Sequence, residues 1–407
     1  MLTPDEFPYI TAIHVNDCYA YQDFDITLNN DKPFSHLVLT GKNGSGKSTI
    51  LRSIDFWINK YLSGNDVISM INQHAKSIPN RVQRFGKDDS YVKLWQLELD
   101  RLEKIALNPN TEIGNLVDKK NKFIYSFIKA ERNSKINPVS TVTKDEDFVK
   151  QLNQQNSSDF FIKQFKQYLV NKKVGQAFNM IDKNDLAIQE SQHFFNLLNS
   201  SFQKMLEDSK LELIFEKESF EFYLKLSNGQ QITFENLSDG FSALISILMD
   251  LFMRVDIIRK EVKDFSFNPC GIVLIDEPET HLHLKLQEEV MPLLTALFPN
   301  IQFIVATHSP AVISSIKNAT IFDLTTKTTE NDSIVGSSYS ELMVSHFGLD
   351  NEYSTIADGI FKEINATLRL DNAEERQIKL QGILAQNERY LSPAMRLELE
   401  SMIFEHQ

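Results

Sequence analysis

The feature that most constrains this chain is a glycine-rich loop between a short apolar run and an amphipathic segment. The loop follows the Leu/Val-rich run 35–40 and reads Gly41-Lys42-Asn43-Gly44-Ser45-Gly46-Lys47-Ser48-Thr49. A strand, a glycine-rich loop and a helix in this order form the context of a phosphate-binding loop. The glycines leave main-chain N–H groups free to surround phosphate oxygens, and the helix N-terminus adds partial positive charge. The sequence therefore predicts that the chain binds a nucleoside triphosphate.

Residue types within this loop predict separate roles. We expect the Lys47 ammonium to reach the β- and γ-phosphates of ATP and the Ser48 hydroxyl to ligate Mg²⁺. The other residues expected to contact the nucleotide are Asn43, Gly44, Ser45, Gly46 and Thr49. A Gly/Ser-rich turn with a lone lysine is the alternative, and the complete pattern with correct flanks disfavours it.

A second polar group ends the apolar run 270–275. A continuous apolar run is typical of a strand buried on both faces of a parallel sheet. Ligands bind at the carboxyl ends of such strands, where Asp276 and Glu277 stand. Asp276 would hold Mg²⁺ through water, and Glu277 would act on the attacking water as general base. The alternative is a strand that runs into an acidic turn.

Two further segments add candidate residues. His308 ends the apolar strand pattern 301–306, and Pro310 prevents its continuation. A histidine there can donate a hydrogen bond to the γ-phosphate or to the attacking water, although a strand-end histidine taken alone is more often structural. Ser238 and Gly240 open a long apolar helix, and a Ser/Gly helix start is an anion site. Taken alone, a Ser-Asp-Gly sequence before a helix, as at 238–240, is usually just a turn.

Composition and charge bound the class of protein. The chain has 407 residues, is 42% hydrophobic and 24% charged, and is expected to form two or three soluble domains. Its acidic N-terminus does not resemble a signal peptide, and no apolar run approaches the ~18–20 residues of a membrane span. Two cysteines, Cys18 and Cys270, form no disulfide framework or metal site, which favours a reducing cytoplasm.

Charge also bears on nucleic acid as a partner. The net charge of −13 argues against non-specific coating of nucleic acid, because phosphate contacts need lysine and arginine. The cluster Lys119-Lys120-Asn121-Lys122, with Lys129 and Arg132 after it, is a candidate basic patch. A solvated charged face is the commoner explanation of such a cluster.

Periodicity predicts further elements. Strands are expected over 9–15, 19–28, 91–99 and 123–128, and helices over 55–86 and within the insertion at about 140–210. Strands are also expected over 211–215, 220–226 and 231–234, with Asn228-Gly229 as a hairpin turn. The tail is expected to be helical over 339–347, 352–368, 372–386 and 393–404.

Taken in order, these segments resemble the ATP-binding-cassette (ABC) ATPase superfamily over about residues 8–325, and more narrowly its RecF, SMC and OLD-like branch. The segment 41–48 matches Walker A, 237–240 the signature, 272–277 Walker B and His308 the switch histidine. The resemblance implies an α/β fold: an ABC-ATPase head with a P-loop NTPase parallel sheet and an antiparallel β-subdomain. An inserted helical lobe and a helical C-terminal tail complete it, with an ATPase domain over 1–325 and a helical region over 326–407.

The same resemblance implies a homodimer or higher oligomer in which ATP is sandwiched between two heads. Ser238 and Gly240 of one protomer would complete the nucleotide site of the other. Departures affect details of this expectation: Phe241 stands where many relatives have Glu or Gln, and Leu282-His283 where they usually have Leu-Asp.

The Q-loop glutamine of the family has no clear counterpart. Gln83 and Gln96 are the candidates, and both are as readily explained as surface residues. Arg132 follows the strand predicted over 123–128 and is a further candidate to face phosphate, although a solvent-exposed arginine is the commoner case.

The phrases Glu-Thr-His-Leu-His at 279–283 and Ala-Thr-His-Ser-Pro at 306–310 are similar to the OLD-like group, including Septu-type and retron-linked ATPases of antiphage defence. In those systems a separate HNH nuclease works with the ATPase. The resemblance thus implies a cytoplasmic regulatory ATPase with a partner nuclease docked on 326–407, and with DNA or retron RNA–DNA as a candidate ligand. A helical cap on the ATPase is the alternative role of that tail.

A RecF-like DNA-repair clamp is the alternative function. A transporter ATPase subunit is a third possibility, which the large insertion and the tail disfavour. The separation of Lys47 and Asp276 leaves no room for coiled-coil arms of SMC length. The tail contains no Asp-x-Asp and is too short for a TOPRIM nuclease, so the chain is not expected to be a nuclease itself.

Overall fold

A computed structural model describes residues 2–18, 21–29, 31–64, 66–111, 123–132, 136–144, 148–151, 157–330, 342, 355–370, 372–387 and 391–405. The chain divides into two compact units, 1–337 and 338–407. The strands are β1 Ile10–Cys18, β2 Tyr21–Thr27, β3 His36–Thr40, β4 Ile105–Pro109, β5 Ile124–Ile128, β6 Glu212–Glu216, β7 Glu221–Lys225, β8 Gln231–Thr233, β9 Gly271–Asp276, β10 Ile301–Ala306, β11 Ala319–Asp323 and β12 Thr328–Glu330. The first unit's helices are α1 Lys47–Leu62, α2 Val67–Phe85, α3 Ser90–Leu102, α4 Ser158–Ile181, α5 Asp185–Met205, α6 Asp239–Val262, α7 Leu284–Leu297 and α8 Pro310–Ser315.

The central sheet has the strand order β12-β11-β3-β10-β9-β5. Neighbouring strands within this sheet pair in parallel, except for β11 and β12, which pair antiparallel. Every residue of β3, β9 and β10 is buried, as expected for strands covered on both faces. Because the three strands are parallel, the segments that follow them meet at one edge of the sheet. The predicted α/β class is confirmed, and three of the four candidate segments lie at this edge.

Two antiparallel sheets accompany the central one, β2-β1-β4 and β6-β7-β8. Gln302 of β10 joins the first of them to the central sheet. Its side-chain amide donates to the carbonyl oxygens of Ile10 (2.8 Å) and Ser35 (2.9 Å), and its Oε1 accepts from the Ile10 N–H at 2.9 Å. The predicted Asn228-Gly229 turn connects β7 to β8, with Gly229 at φ 85°. The strands predicted around both sheets are confirmed except for 91–99.

The segment 91–99 is a helix, so the predicted strand was wrong. Its buried side chains, Val92, Leu99 and Leu102, recur at helical spacing, and the Asp89 carboxylate caps the N-terminus by accepting from two main-chain N–H groups. Three apolar residues on the exposed face of α3 produced the misleading alternation: Tyr91, Leu94 and Leu97. Alternation indicates a strand only when the intervening positions are polar.

The predicted helical insertion contains α4 and α5, which pack on each other and on α6. The face between α4 and α6 contains a buried ion pair. The Lys172 ammonium donates to the Asp256 carboxylate at 2.6 Å, and the Tyr168 hydroxyl donates to the same oxygen. Burial lowers the pKa of Lys172, and the Asp256 charge opposes that change. These contacts fix the inserted helices against the long helix that follows the signature segment.

The second unit contains helices α9 Thr355–Leu368, α10 Ala373–Asn387 and α11 Pro393–Glu405. Its apolar core is formed by Ile360, Phe361, Ile364, Leu380, Ile383 and Leu399. Three of the four predicted tail helices are therefore confirmed. The fourth, over 339–347, lies outside the described residues apart from Leu342, as does the Lys119–Lys122 cluster. Among the described helices none is both long enough and apolar enough to cross a membrane.

Candidate active site

The loop between β3 and α1 has the backbone of an anion-binding site. Gly41, Gly44 and Gly46 have φ values of 128°, 78° and 91°, conformations that favour glycine. A Cβ on Gly41 would lie 2.9 Å from Thr325 Oγ1, so a side chain would not fit there. The first N–H groups of helix α1 have no intrahelical acceptors, and the N-cap residue offers them no side-chain acceptor. The loop therefore offers several donors to a phosphate, and Asn43 and Gly44 lie exposed at its tip.

Lys47 lies at the centre of this loop. Its ammonium donates to the carbonyl oxygens of Gly41 (2.8 Å) and Lys42 (3.2 Å), and it lies 3.4 Å from the Ser45 hydroxyl. Burial lowers the pKa of Lys47 to about 8, while nearby carboxylates, Glu277 and Asp276 foremost, oppose that change. Most Lys47 side chains are therefore cationic at neutral pH. A buried cation at the centre of the loop suits a polyphosphate.

Ser48 and Asp276 connect the phosphate loop to the acidic end of β9. The Ser48 hydroxyl donates to Asp276 Oδ1 at 3.0 Å, although 228 positions separate them. Burial raises the pKa of Asp276, and the Ser48 hydrogen bond opposes that change. A hydroxyl and a carboxylate oxygen are hard ligands, and Mg²⁺ typically takes few protein ligands beside phosphates and water. The pair fits Mg²⁺, and in the described part of the chain no cluster of three or more Asp, Glu, His or Cys competes for the ion.

Glu277 stands in a strained backbone conformation directly after β9. Its φ of 49° is left-handed, which costs a non-glycine residue about 1–2 kcal/mol. The Glu277 N–H donates to the Ala306 carbonyl at 2.8 Å, and the Glu277 carbonyl accepts from the Thr280 hydroxyl at 2.8 Å. The carboxylate is free to reach outward, since its side chain is 40% exposed. A carboxylate aimed away from a fixed main chain suits a general base.

His308 faces Glu277 across the edge of the sheet. Its Nε2 lies 4.0 Å from Glu277 Oε1. Burial, together with the nearby Lys47 charge, lowers the pKa of His308 to about 4, and the Asp276 charge opposes that change. The imidazole is therefore neutral at pH 7 and has one N–H to donate. Its position beside the general base suits a contact with the γ-phosphate or the attacking water.

The signature segment approaches the chain just after Glu277. A Cβ on Gly240 would lie 2.4 Å from the His281 carbonyl oxygen, so glycine is required there. Phe241 packs edge-on against His283, with ring centroids 6.4 Å apart. Both residues are departures from the family pattern noted in the sequence. Ser238 is exposed, and its hydroxyl makes no capping bond to α6. Within one protomer the described contacts thus join this segment to 281–283.

Two residues near the site make main-chain contacts that the sequence did not predict. Arg132 was expected to be exposed, but its guanidinium lies against β9 and donates to the Asp276 and Glu277 carbonyls. The Glu279 carboxylate accepts from the His308 N–H at 2.7 Å. The Q-loop candidates Gln83 and Gln96 are exposed on helices α2 and α3. The available signal for Arg132 was its position just after a predicted strand.

Comparison with known proteins places this geometry in a family. The profile of the family described as "AAA domain, putative AbiEii toxin, Type IV TA system" matches residues 111–314. The Retron Vc95 probable ATPase of Vibrio cholerae serotype O1 biovar El Tor is 26% identical over 375 residues, covering 74% of this chain and 71% of the relative. The Septu protein PtuA of Bacillus thuringiensis is 26% identical over 292 residues, covering 68% of this chain and 67% of the relative.

SMC heads are among the solved structures that are similar to this chain. The SMC head bound to the C-terminal winged-helix domain of ScpA is 17% identical, with a TM-score of 0.40, and the match covers 77% of this chain and 93% of that chain. The SMC head domain from Thermotoga maritima is 14% identical, with a TM-score of 0.33.

Proposed function

We propose, from the fact that this chain belongs to the AAA-domain family of AbiEii-like proteins, that it is a Mg²⁺-dependent ATPase. The observation that carries the proposal is the Ser48–Asp276 contact of 3.0 Å, which brings the phosphate loop and the end of β9 to one point. Both residue types are ligands suited to Mg²⁺. A relative over most of the chain is named a probable ATPase, which supports the same activity.

The side chains divide the chemistry of hydrolysis between them. Lys47 and the N–H groups of the loop would bind phosphate, and Ser48 with Asp276 would hold Mg²⁺, which supplies charge stabilisation to phosphoryl oxygens. Glu277 would take a proton from the attacking water. Neutral His308 would donate its N–H toward the γ-phosphate or that water, and the 4.0 Å separation from Glu277 leaves space for it to do so.

A second protomer would complete the site. Ser238 is exposed with its hydroxyl unused in capping, and the 24-residue helix α6 begins beside it. A free hydroxyl and the N–H groups at such a helix start form an anion-binding surface. Ser238 and Gly240 would therefore bind the nucleotide of the opposing head, so that ATP closes a dimer.

The biological role proposed for this ATPase is control of a separate effector nuclease in an antiphage defence complex. The retron and Septu names of its relatives support this role. The effector would be an HNH-type nuclease, and DNA or a retron RNA–DNA species would be a further ligand. The chain itself would not cut nucleic acid, because its residues 326–407 contain no Asp-x-Asp metal-binding pattern of a TOPRIM nuclease.

Glu277→Gln tests the enzymatic part. The amide cannot accept a proton, so turnover should fall by about 100-fold or more while ATP binding persists. ATP-bound dimer should accumulate, as measured by light scattering with and without ATP. Glu218→Gln, on the exposed β6–β7 turn, is the matched control and should hydrolyse ATP at the wild-type rate. Turnover at the wild-type rate in Glu277→Gln would show that Glu277 is not the general base.

Affinity purification of the tagged chain from its native host tests the biological part. A nuclease should co-elute in stoichiometric amount, and its activity should change when Lys47→Ala removes ATP binding. A chain that elutes alone, or with duplex DNA and repair proteins, would contradict nuclease control. The second of these results would favour the RecF-like function.

A further inference from the structure

We propose that Arg132 is a positioning residue that fixes the main chain of the general base Glu277, and that Glu279 fixes the main chain of His308 in the same way. The inference rests on the ATPase function proposed above. It concerns residues that hold the reacting groups in place rather than residues that touch the nucleotide.

The Arg132 guanidinium is bound to main-chain oxygens. Its Nη2 donates to the carbonyls of Asp276 at 3.1 Å and Glu277 at 2.6 Å, and its Nε donates to the Lys129 carbonyl at 3.2 Å. The remaining nitrogen, Nη1, is buried and has no hydrogen-bond partner in the structure as described. Charged side chains are rarely buried in proteins, and the Arg132 donors bind main-chain carbonyls rather than a carboxylate. This placement suits a residue that holds the main chain in position.

The sheet register explains why Arg132 reaches Glu277. Strand β5 pairs in parallel with β9, and Ile128 at its end lies level with Ile275. The chain after β5 therefore continues beside the chain after β9, where Asp276 and Glu277 stand. Arg132 follows four positions later, and the Nε bond to Lys129 folds its guanidinium back onto that edge.

The conformation of Glu277 requires such a support. Its φ of 49° is unfavourable for a residue with a Cβ and persists only where the surroundings enforce it. Arg132 and Thr280 both donate to the Glu277 carbonyl, at 2.6 Å and 2.8 Å. Loss of the Arg132 bond would free the main chain to relax, and the carboxylate would move from its position beside His308.

Glu279 supports the opposite side of the same pair. Its Oε1 accepts from the His308 N–H and from the Thr307 hydroxyl, both at 2.7 Å. Its Oε2 is buried and, among the described residues, has no hydrogen-bond partner. The main chain of His308 is thus held by a carboxylate in the way that the main chain of Glu277 is held by a guanidinium.

The two supports carry opposite charge. Burial lowers the pKa of Arg132 to about 10, and Glu279 is the first of the carboxylates that oppose the change. Arg132 therefore stays cationic at neutral pH. Within the described residues, each of the two groups also has one buried atom without a hydrogen-bond partner, Nη1 of Arg132 and Oε2 of Glu279. The Glu279 charge favours the cationic form of Arg132, which links the two positioning roles.

Substitution of Arg132 tests the first role through kcat and KM measured separately. Arg132→Gln should lower kcat by about 10- to 100-fold, the loss expected for a misplaced reacting group. KM and equilibrium ATP binding should stay within about threefold, because the phosphate loop is untouched. Arg132→Lys keeps a cationic donor and should recover part of kcat. Arg84→Gln, an exposed arginine on α2, is the control for losing a guanidinium and should match wild type.

Two results would overturn the assignment of Arg132. One is an unchanged kcat in Arg132→Gln. The other is an equal loss in both Arg132 variants with a matching fall in melting temperature, which a merely structural arginine would give. If the Gln variant does not fold, Arg132→Lys decides, and wild-type KM with a lowered kcat supports the role. A wild-type chain without turnover would instead refute the ATPase proposal, so the two failures are distinguishable.

A double-mutant cycle tests the shared role. Glu279→Ala removes the acceptor of the His308 N–H and should lower kcat by about 10- to 100-fold without changing ATP binding. Because Arg132 and Glu279 support one pair of reacting groups, the kcat loss in Arg132→Gln/Glu279→Ala should be smaller than the product of the single losses. A fully multiplicative loss would show that the two residues act independently.

Discussion

The close approach of Gly240 to the His281 carbonyl makes a sharp prediction about the signature segment. Gly240→Ala would place a Cβ 2.4 Å from that oxygen, whereas Cβ contacts below 3.0 Å essentially do not occur. Either the start of α6 or the 281–283 segment must therefore move by 0.6 Å or more. Such overpacking typically costs about 1–3 kcal/mol. The alanine gains about 1 kcal/mol of helix propensity, which leaves a net loss of about 0–2 kcal/mol.

The functional effect should exceed the effect on stability. A displacement approaching 1 Å can lower turnover by about 100-fold when it misplaces a group that the reaction needs. We expect Gly240→Ala to bind ATP as wild type does, since the phosphate loop lies on other elements. Its ATPase rate at saturating ATP should fall by about 10-fold or more, and ATP-dependent dimerisation should weaken. Steady-state kinetics and light scattering measure these two effects.

Gly175→Ala is the matched control. Gly175 lies inside helix α4, and a Cβ there would meet nothing within 4 Å. The substitution should raise the free energy of unfolding by about 0.5–1 kcal/mol and leave turnover unchanged. If Gly240→Ala matches Gly175→Ala in both stability and turnover, the reasoning is refuted: either Gly240 does not lie against the His281 carbonyl, or that contact does not matter for turnover.

Three further predictions concern binding and stability. Lys47→Ala should abolish ATP binding in equilibrium titrations, since it removes the cation inside the loop, and retained affinity would contradict the site. Burial lowers the pKa of His36 from 6.5 to about 4. Above pH 6.5 the histidine does not reduce the free energy of unfolding, and as the pH falls from 6.5 through 4 about 3 kcal/mol of that free energy is lost. His36→Asn should remove that acid sensitivity from urea unfolding curves, whereas an unchanged pH profile would refute it. Lys172→Met should destabilise the fold by about 3–5 kcal/mol in urea unfolding by stranding Asp256, and Lys172→Met/Asp256→Leu should recover most of the loss.

The parts of the fold that sequence predicted correctly are those fixed by local patterns. The β3–loop–α1 unit has its glycines, its lysine and its flanking strand within about 15 consecutive residues. The strands β9 and β10 are continuous apolar runs that only a buried parallel strand explains well. In contrast, α3 has apolar residues on both its buried and its exposed faces, so the sequence contains two periodicities. Only packing against α2, through the cluster that includes Ile78, Val92 and Leu99, selects the helix.

The supports of the candidate site could not be predicted because they depend on strand register. Arg132 lies 145 positions from Glu277 in the chain, yet the pairing of β5 with β9 brings its guanidinium to the Glu277 carbonyl. Glu279 is close to the general base in sequence, but its hydrogen bonds go to the segment that follows β10. Glu279 belongs to the phrase at 279–283 and Arg132 follows a predicted strand, but neither position indicates which main-chain groups the side chain binds. The reacting groups can therefore be named from local sequence, whereas the residues that hold them in place become visible only when the order and register of the sheet are known.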